Sequence, residues 1–311
     1  MPKYVITGGA GFVGLNLVHH LASAGEKVVV FDDMSGAKKK NLRDLPKDVK
    51  VVEGSVLDLK ELKKVMRSTD YMLHCAGQPS VLKSVKDPQK TLETNAQGTL
   101  NALTAARDAK VKRFIYIGSA AAYGESPSLP KVETMAETPL SPYAVSTIAA
   151  EHQCRVFFST YGLQTVVLRA FNLYGPYQDP TGQYAPVVAK FLTALMDGNA
   201  PIVAGDGKQS RDFVHVADLV EAVKAACIAP KAEGELYNIA SGSRITINGL
   251  VNMINNILGK EIQPKYEEAR PGDIRHSLAD TTKAEEMLGF RPRSSIMDGL
   301  QSTAEWYRKA R

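Results

Sequence analysis

Lys3-Tyr4-Val5-Ile6-Thr7-Gly8-Gly9-Ala10-Gly11-Phe12-Val13-Gly14 is a short apolar run that breaks into glycines and leads straight into a stretch of helical period. In that strand-turn-helix setting the spacing of Gly8, Gly11 and Gly14 has a mechanism. The glycines allow a tight turn and close backbone approach, and the helix amino terminus around Phe12 and Val13 offers free N–H groups to a pyrophosphate. A second apolar run, Lys27 to Phe31, is followed by Asp32, 21 residues after Gly11. A carboxylate there can accept both ribose hydroxyls of NAD and would repel the 2′-phosphate of NADP. The plain alternative is a tight turn with Asp32 capping a loop; both features at the expected spacing favour the cofactor.

Working outward, runs rich in Val, Ile and Tyr alternate with helical segments, the mark of βαβ units. Lys50 to Glu53, Tyr71 to His74, Arg113 to Ile117 and Thr165 to Arg169 read as further buried strands. Gly11 to Ala24, Leu59 to Met66, Pro88 to Ala109 and Pro142 to Tyr161 read as helices. The fold class is therefore α/β: a Rossmann-type doubly wound parallel sheet with a smaller α/β substrate-binding lobe, the ligand lying at the carboxyl ends of the strands. Residues 1–171 form the dinucleotide-binding domain, with 211–240 returning to it, and 172–210 and 241–311 form the second lobe. From Phe171 to about Arg211 the chain is dense in Gly, Pro and Asp, and loops are expected to dominate. A run at Leu236 to Ile239, a helix at Ile247 to Leu258 and a last helix ending at Arg311 follow.

Composition narrows the class. The 311 residues are 44% hydrophobic and 23% charged, ordinary globular proportions that exclude a disordered or collagenous chain. The net charge is a mild +5, and the one compact basic run, Lys38-Lys39-Lys40, reads as a solvated loop, so no nucleic-acid partner is expected. Three scattered cysteines, Cys75, Cys154 and Cys227, argue against both a disulfide framework and a zinc site, and no metal is expected. No apolar run approaches the roughly 20 residues of a membrane span, and the amino terminus leads directly into a strand, so a cytoplasmic location is expected.

Two further segments fall at strand ends on the ligand side: Gly118-Ser119-Ala120-Ala121-Ala122-Tyr123-Gly124, and Ser141-Pro142-Tyr143-Ala144-Val145-Ser146-Thr147. With the glycine turn they resemble the extended short-chain dehydrogenase/reductase family. The resemblance spans nearly the whole chain, through Thr94-Asn95-Ala96-Gln97-Gly98-Thr99, Arg169-Ala170-Phe171-Asn172-Leu173-Tyr174-Gly175-Pro176, Arg211-Asp212-Phe213-Val214-His215-Val216-Ala217-Asp218 and Arg270-Pro271-Gly272-Asp273-Ile274-Arg275. It is strongest to the UDP-galactose 4-epimerase branch. That resemblance implies NAD as cofactor and a UDP-hexose as substrate, with Ser119 and Tyr143 handling a sugar hydroxyl. It implies Val56 and Asn95 near the cofactor, and Asn172, Arg211, Arg270 and Asp273 near the nucleotide sugar. Arginine's planar fork suits bidentate phosphate recognition, which agrees. Dimerisation through the Pro88 to Ala109 and Pro142 to Tyr161 helices is implied as well.

Ala120-Ala121 narrows the reaction. Dehydratases of the family carry an Asp-Glu pair there and related decarboxylases a Glu; alanine offers no acid or base. Oxidation and re-reduction at C4 through a 4-keto sugar remains. Ser277 stands where some epimerases of the branch have a tyrosine that narrows the sugar pocket, so N-acetylated UDP-hexoses are expected to enter. Ser55 departs from an acidic residue that the family often places against the adenine.

The larger departure is Thr147, where the family has the lysine of Tyr-x-x-x-Lys. A phenol has an unperturbed pKa near 10. An ammonium about 4 Å away, at an effective dielectric near 20, favours the phenolate by up to about 4 kcal/mol. Threonine supplies none of this. Three readings stand at this point: an engineered substitution that traps a ligand, a divergence in which another group takes over, or a protein that binds NAD and a nucleotide sugar without turnover. Another nucleotide-sugar epimerase or oxidoreductase of the family is the enzyme alternative.

Overall fold

Strands whose valines and isoleucines are buried on both sides need cover on both faces of their sheet. The computed structural model, which describes residues 1–181, 185–269 and 274–310, is built that way. β1 (Lys3–Thr7), β2 (Lys27–Asp32), β3 (Lys50–Glu53), β4 (Tyr71–His74), β5 (Arg113–Ser119) and β6 (Thr165–Ala170) run parallel and are joined by a seventh strand, Leu236–Ile239. From one edge the order is the seventh strand, β6, β5, β4, β1, β2, β3. Winding reverses between β1 and β4, which opens a crevice at their carboxyl ends.

One face is covered by α1 (Phe12–Ser23) and the Val216–Ile228 helix through Leu17, Leu21, Leu219 and Val223. The other carries the Leu59–Val65, Gly98–Ala109 and Pro142–Tyr161 helices through Leu62, Leu103, Ala150 and Cys154. Complete burial of a side chain such as Leu17 or Leu103 stabilises by about 1.5–3 kcal/mol. A third core gathers Phe191, Leu192, Leu250, Ile254 and Leu300 from the Val187–Met196, Ile247–Leu258 and Ile296–Ala310 helices. Among the described residues, no helix is long and apolar enough to cross a membrane.

Among the described residues the stretch from Phe171 to Arg211 is mostly loop, as expected, but it also holds an unexpected helix, Val187–Met196, with Val188, Phe191, Leu192 and Leu195 buried. That apolar spacing prevails over the Gly and Pro residues flanking it. The helix expected over Pro88 to Ala109 spans those residues, with a change of pitch inside it that the sequence did not indicate. It is α-helical over Pro88–Leu92, widens into a π-helical turn over Glu93–Gln97, and resumes as Gly98–Ala109. The wide turn includes the buried Asn95, whose polar atoms find partners outside the helix.

Candidate active site

The glycine turn is shaped for close approach. Gly8 has φ +66°, and a Cβ on Gly14 would lie 2.3 Å from the Gly8 carbonyl oxygen and 2.5 Å from the Gly9 Cα, so a larger residue cannot be accommodated without moving backbone. Gly11 caps α1 with no side-chain hydrogen bond, which leaves the first amides of the helix, at half-buried Phe12 and Val13, available to an anion. Asp32 ties the turn to the next loop: its Oδ2 accepts the Ala10 N–H at 2.9 Å and its Oδ1 the Met34 N–H at 2.8 Å. Burial pushes its carboxyl up, partly offset by those two amides. A cradle that a Cβ would fill, an uncapped helix start and a carboxylate at the neighbouring strand end fit a dinucleotide. Val56 is buried against Gly98, and its carbonyl accepts Asn101 Nδ2 at 3.0 Å. Ser55 Oγ accepts the Leu57 amide at 3.2 Å.

Beneath the turn, Thr7 Oγ1 lies 2.6 Å from His74 Nδ1, and His74 Nε2 lies 3.0 Å from Thr99 Oγ1. Burial lowers the His74 pKa to about 3, so the ring is neutral and links the cradle to the helix that follows Asn95. Asn95 Oδ1 accepts the Gln78 amide at 2.7 Å, and its Nδ2 donates to Ser146 Oγ at 2.9 Å. Ser146 Oγ in turn donates to the Tyr143 carbonyl at 2.8 Å.

Ser119 ends β5, and Tyr143 opens the Pro142–Tyr161 helix, whose start is set by Pro142 and by Ser141 Oγ accepting the Ala144 amide at 3.1 Å. Burial raises the Tyr143 pKa, the neighbouring Ser119 side chain opposes the shift, and the Glu151 carboxylate adds to it. Thr147 is buried and returns its hydroxyl to the Ala144 carbonyl at 2.9 Å. It offers Tyr143 no charge. Glu151 is held by Arg169, whose Nη2 lies 2.5 Å from Oε2, and its Oε1 would lie 2.7 Å from a Cβ on Gly118. A glycine before Ser119 therefore leaves room for a buried ion pair directly behind the Ser-Tyr pair.

A second wall is organised by Asp212. Its Oδ1 accepts the Ser241 amide at 2.8 Å and hydroxyl at 2.7 Å, and its Oδ2 accepts the Ala279 amide at 3.2 Å. Its own carbonyl accepts Asn172 Nδ2 at 2.7 Å. The Ser277 amide donates to the Ser210 carbonyl at 3.0 Å, so Asn172, Arg211 and Ser277 gather around one short strand. Arg270 and Asp273 lie outside the described residues. Gln78, Ser146, Glu151 and Asp212 went unread in the sequence; the partners that tie them into the site, Asn95 for the first two, Arg169 and Ser241, lie 17 or more residues away.

Cradle, Ser-Tyr pair and second wall together define a dinucleotide-binding α/β protein equipped to move a proton at a hydroxyl. Residues 4–240 match the NAD dependent epimerase/dehydratase family. The chain is 34% identical to a UDP-glucose 4-epimerase of Mycolicibacterium smegmatis over 98% of both chains. It is also 33% identical to a dTDP-glucose 4,6-dehydratase of Streptomyces niveus over 99% of this chain and 94% of that one. The structure of a UDP-N-acetylglucosamine 4-epimerase from Methanobrevibacter ruminantium M1, in complex with UDP-N-acetylmuramic acid, superposes with a TM-score of 0.95 and 34% identity, covering 100% of this chain and 99% of that one. This chain belongs to the NAD dependent epimerase/dehydratase family, and its cofactor is NAD.

Proposed function

We propose that this protein is an NAD-dependent UDP-hexose 4-epimerase that accepts UDP-glucose and UDP-galactose and admits their N-acetylated forms. The observation that carries this reading is the Ser119–Tyr143 pair flanked by Ala120 and Ala121. The pair can take and return a hydroxyl proton, while the alanines supply no group to drive dehydration or decarboxylation. NAD, when bound, supplies the hydride acceptor and donor at C4. Tyr143 Oη takes the C4 hydroxyl proton and later gives it back, and Ser119 holds that hydroxyl and the phenol in line. Gly8, Gly11, Phe12, Val13, Gly14, Asp32, Val56 and Asn95 hold the cofactor. Asn172, Arg211, Arg270 and Asp273 hold the diphosphate and its sugar, and Ser277 leaves room for an N-acetyl group.

We assign residues 1–171 with 211–240 to the cofactor domain, and 172–210 with 241–311 to the sugar lobe. We read the chain as a cytoplasmic homodimer, supported by three free cysteines and by Val145 and Val156, 46% and 51% exposed along one helix. The test is product analysis by NMR after incubation with UDP-glucose and with UDP-N-acetylglucosamine. Appearance of the axial C4 epimers is the expected result. A 4-keto-6-deoxy product, or no product at any pH up to about 9, would reject the reading.

A further inference from the structure

Lys38 and Lys40, in the basic run, both find partners far along the chain. The loop leaving Asp32 is stiffened where Asp33 Oδ1 accepts the Ser35 amide at 2.9 Å and hydroxyl at 2.5 Å, and it ends at Lys38. Lys38 Nζ lies 2.6 Å from Asp179 Oδ1, 141 residues away in sequence. Lys40 Nζ reaches the Ala310 carbonyl of the last helix at 3.2 Å. Both contacts cross from the loop beside the candidate ribose carboxylate to segments beyond the first domain.

The receiving side is firmly set. Asp179 Oδ1 also accepts the Thr181 amide at 2.9 Å and hydroxyl at 2.7 Å. Just before it, Asn16 Nδ2 on α1 donates to the Pro176 carbonyl at 3.0 Å, and the Tyr307 hydroxyl donates to the Gln178 carbonyl. Tyr177 Oη lies 2.9 Å from His19 Nε2, their rings stacked with centroids 5.2 Å apart, and Trp306 packs on the other contact of Tyr177 at 4.9 Å. Tyr177 keeps φ +68°, a left-handed conformation that a tyrosine adopts only when its surroundings fix it. Segment 175–179 is thus a rigid post, and Lys38 is the flexible arm that reaches it.

We propose that Lys38 and Asp179 form a clasp that retains the cofactor, tying the ribose-side loop to this post so that NAD leaves only when the pair parts. The inference rests on the epimerase reading, in which the same NAD serves every cycle and must stay bound between them. It also answers Thr147: with no ammonium beside Tyr143, retention shifts toward the adenosine end. An exposed ion pair adds little to folding, yet on a loop that must open it acts on the rate of release. At 36% and 49% exposure, both partners are within reach of salt.

The test loads the full-length protein with NADH, chases with excess NAD, and follows loss of bound-NADH fluorescence excited through Trp306, the single tryptophan. Lys38→Gln and Asp179→Asn should each speed release by about 2- to 5-fold at low salt, the range an exposed pair supports. Lys38→Asp combined with Asp179→Lys should restore slow release, which a merely structural role for either residue would not do. The wild-type advantage should shrink well above physiological ionic strength. Unchanged release in the single variants, or a reversed pair as fast as the singles, overturns the clasp alone. A protein that takes up no NADH overturns the clasp and the functional reading together.

Discussion

The glycine cradle at the end of β1 and the start of the Pro142–Tyr161 helix meet the demands of their chemistry differently. In the cradle the working groups are backbone amides, and the side chains around them are chosen for what they leave out: a Cβ at Gly14 would strike Gly8 and Gly9. At the helix start the working group we propose is the Tyr143 phenol, whose pKa a neighbouring charge would lower, and Thr147 gives its hydroxyl to the Ala144 carbonyl instead. Binding geometry held by backbone is kept intact, while the electrostatics of proton transfer hang on one side chain and depart with it.

The comparison breaks most visibly if the cradle tolerates bulk. Gly14→Val should abolish NAD uptake and destabilise the fold by about 1–3 kcal/mol through overpacking, read by nucleotide released on denaturation and by urea unfolding. Normal cofactor content in that variant would mean that the turn does not approach a ligand. Next in size is Thr147→Lys, which should raise turnover about 100-fold near neutral pH, the scale of a positioned acid-base function. The pH dependence has a definite sign. Burial and Glu151 push the Tyr143 phenol up, so the wild-type rate should climb with pH as phenolate forms, and the lysine variant should level off at lower pH. Identical profiles would show that the lysine role is filled by another group.

The cradle's foundation offers a sharper stability test. The folded His74 pKa, about 3, lies below the ordinary 6.5, so the unfolded chain binds a proton that the native state refuses. This contribution to stability is complete above pH 6.5 and is lost as pH falls toward 3, with a slope of up to ~1.4 kcal/mol per pH unit. Urea unfolding between about pH 7 and 5 should show a shallower loss in His74→Gln than in wild type. Equal slopes would place the acid sensitivity elsewhere. The smallest effect belongs to the sugar pocket: Ser277→Tyr should shift preference from UDP-N-acetylglucosamine toward UDP-glucose by roughly 10-fold in kcat/KM, the scale of a pocket steric change. An unaltered ratio would remove Ser277 from the pocket.

Much of this arrangement was legible in the chain itself, and the limit has a physical cause. β3 and β4 have the bounds that their Val, Tyr and Leu runs predict, and β1, β2, β5 and β6 run only one or two residues further. Strand burial and turn chemistry are local properties, so they can be read locally. The π-helical turn at Glu93–Gln97 could not be read, because Asn95 is held by Ser146, 51 residues on, and nothing near Asn95 announces that partner. Lys38 looked like part of a solvated run for the same reason: Asp179, which faces it, comes 141 residues later, in the connection between β6 and the seventh strand. The Val187–Met196 helix is a different case, since its apolar spacing was present but masked by the Gly and Pro residues around it.

The central claim is that Tyr143 presents a hydroxyl-bearing UDP-hexose to NAD held in the cradle, and that the sugar is oxidised at C4. It is tested most directly by adding saturating UDP-glucose or UDP-N-acetylglucosamine to NAD-loaded protein and recording the absorbance of reduced nicotinamide. A band that appears with the sugar, grows with pH and is absent in Tyr143→Phe is the predicted result. NAD-loaded wild type that binds the UDP-sugar and yields no reduced nicotinamide at any pH where it stays folded would contradict it.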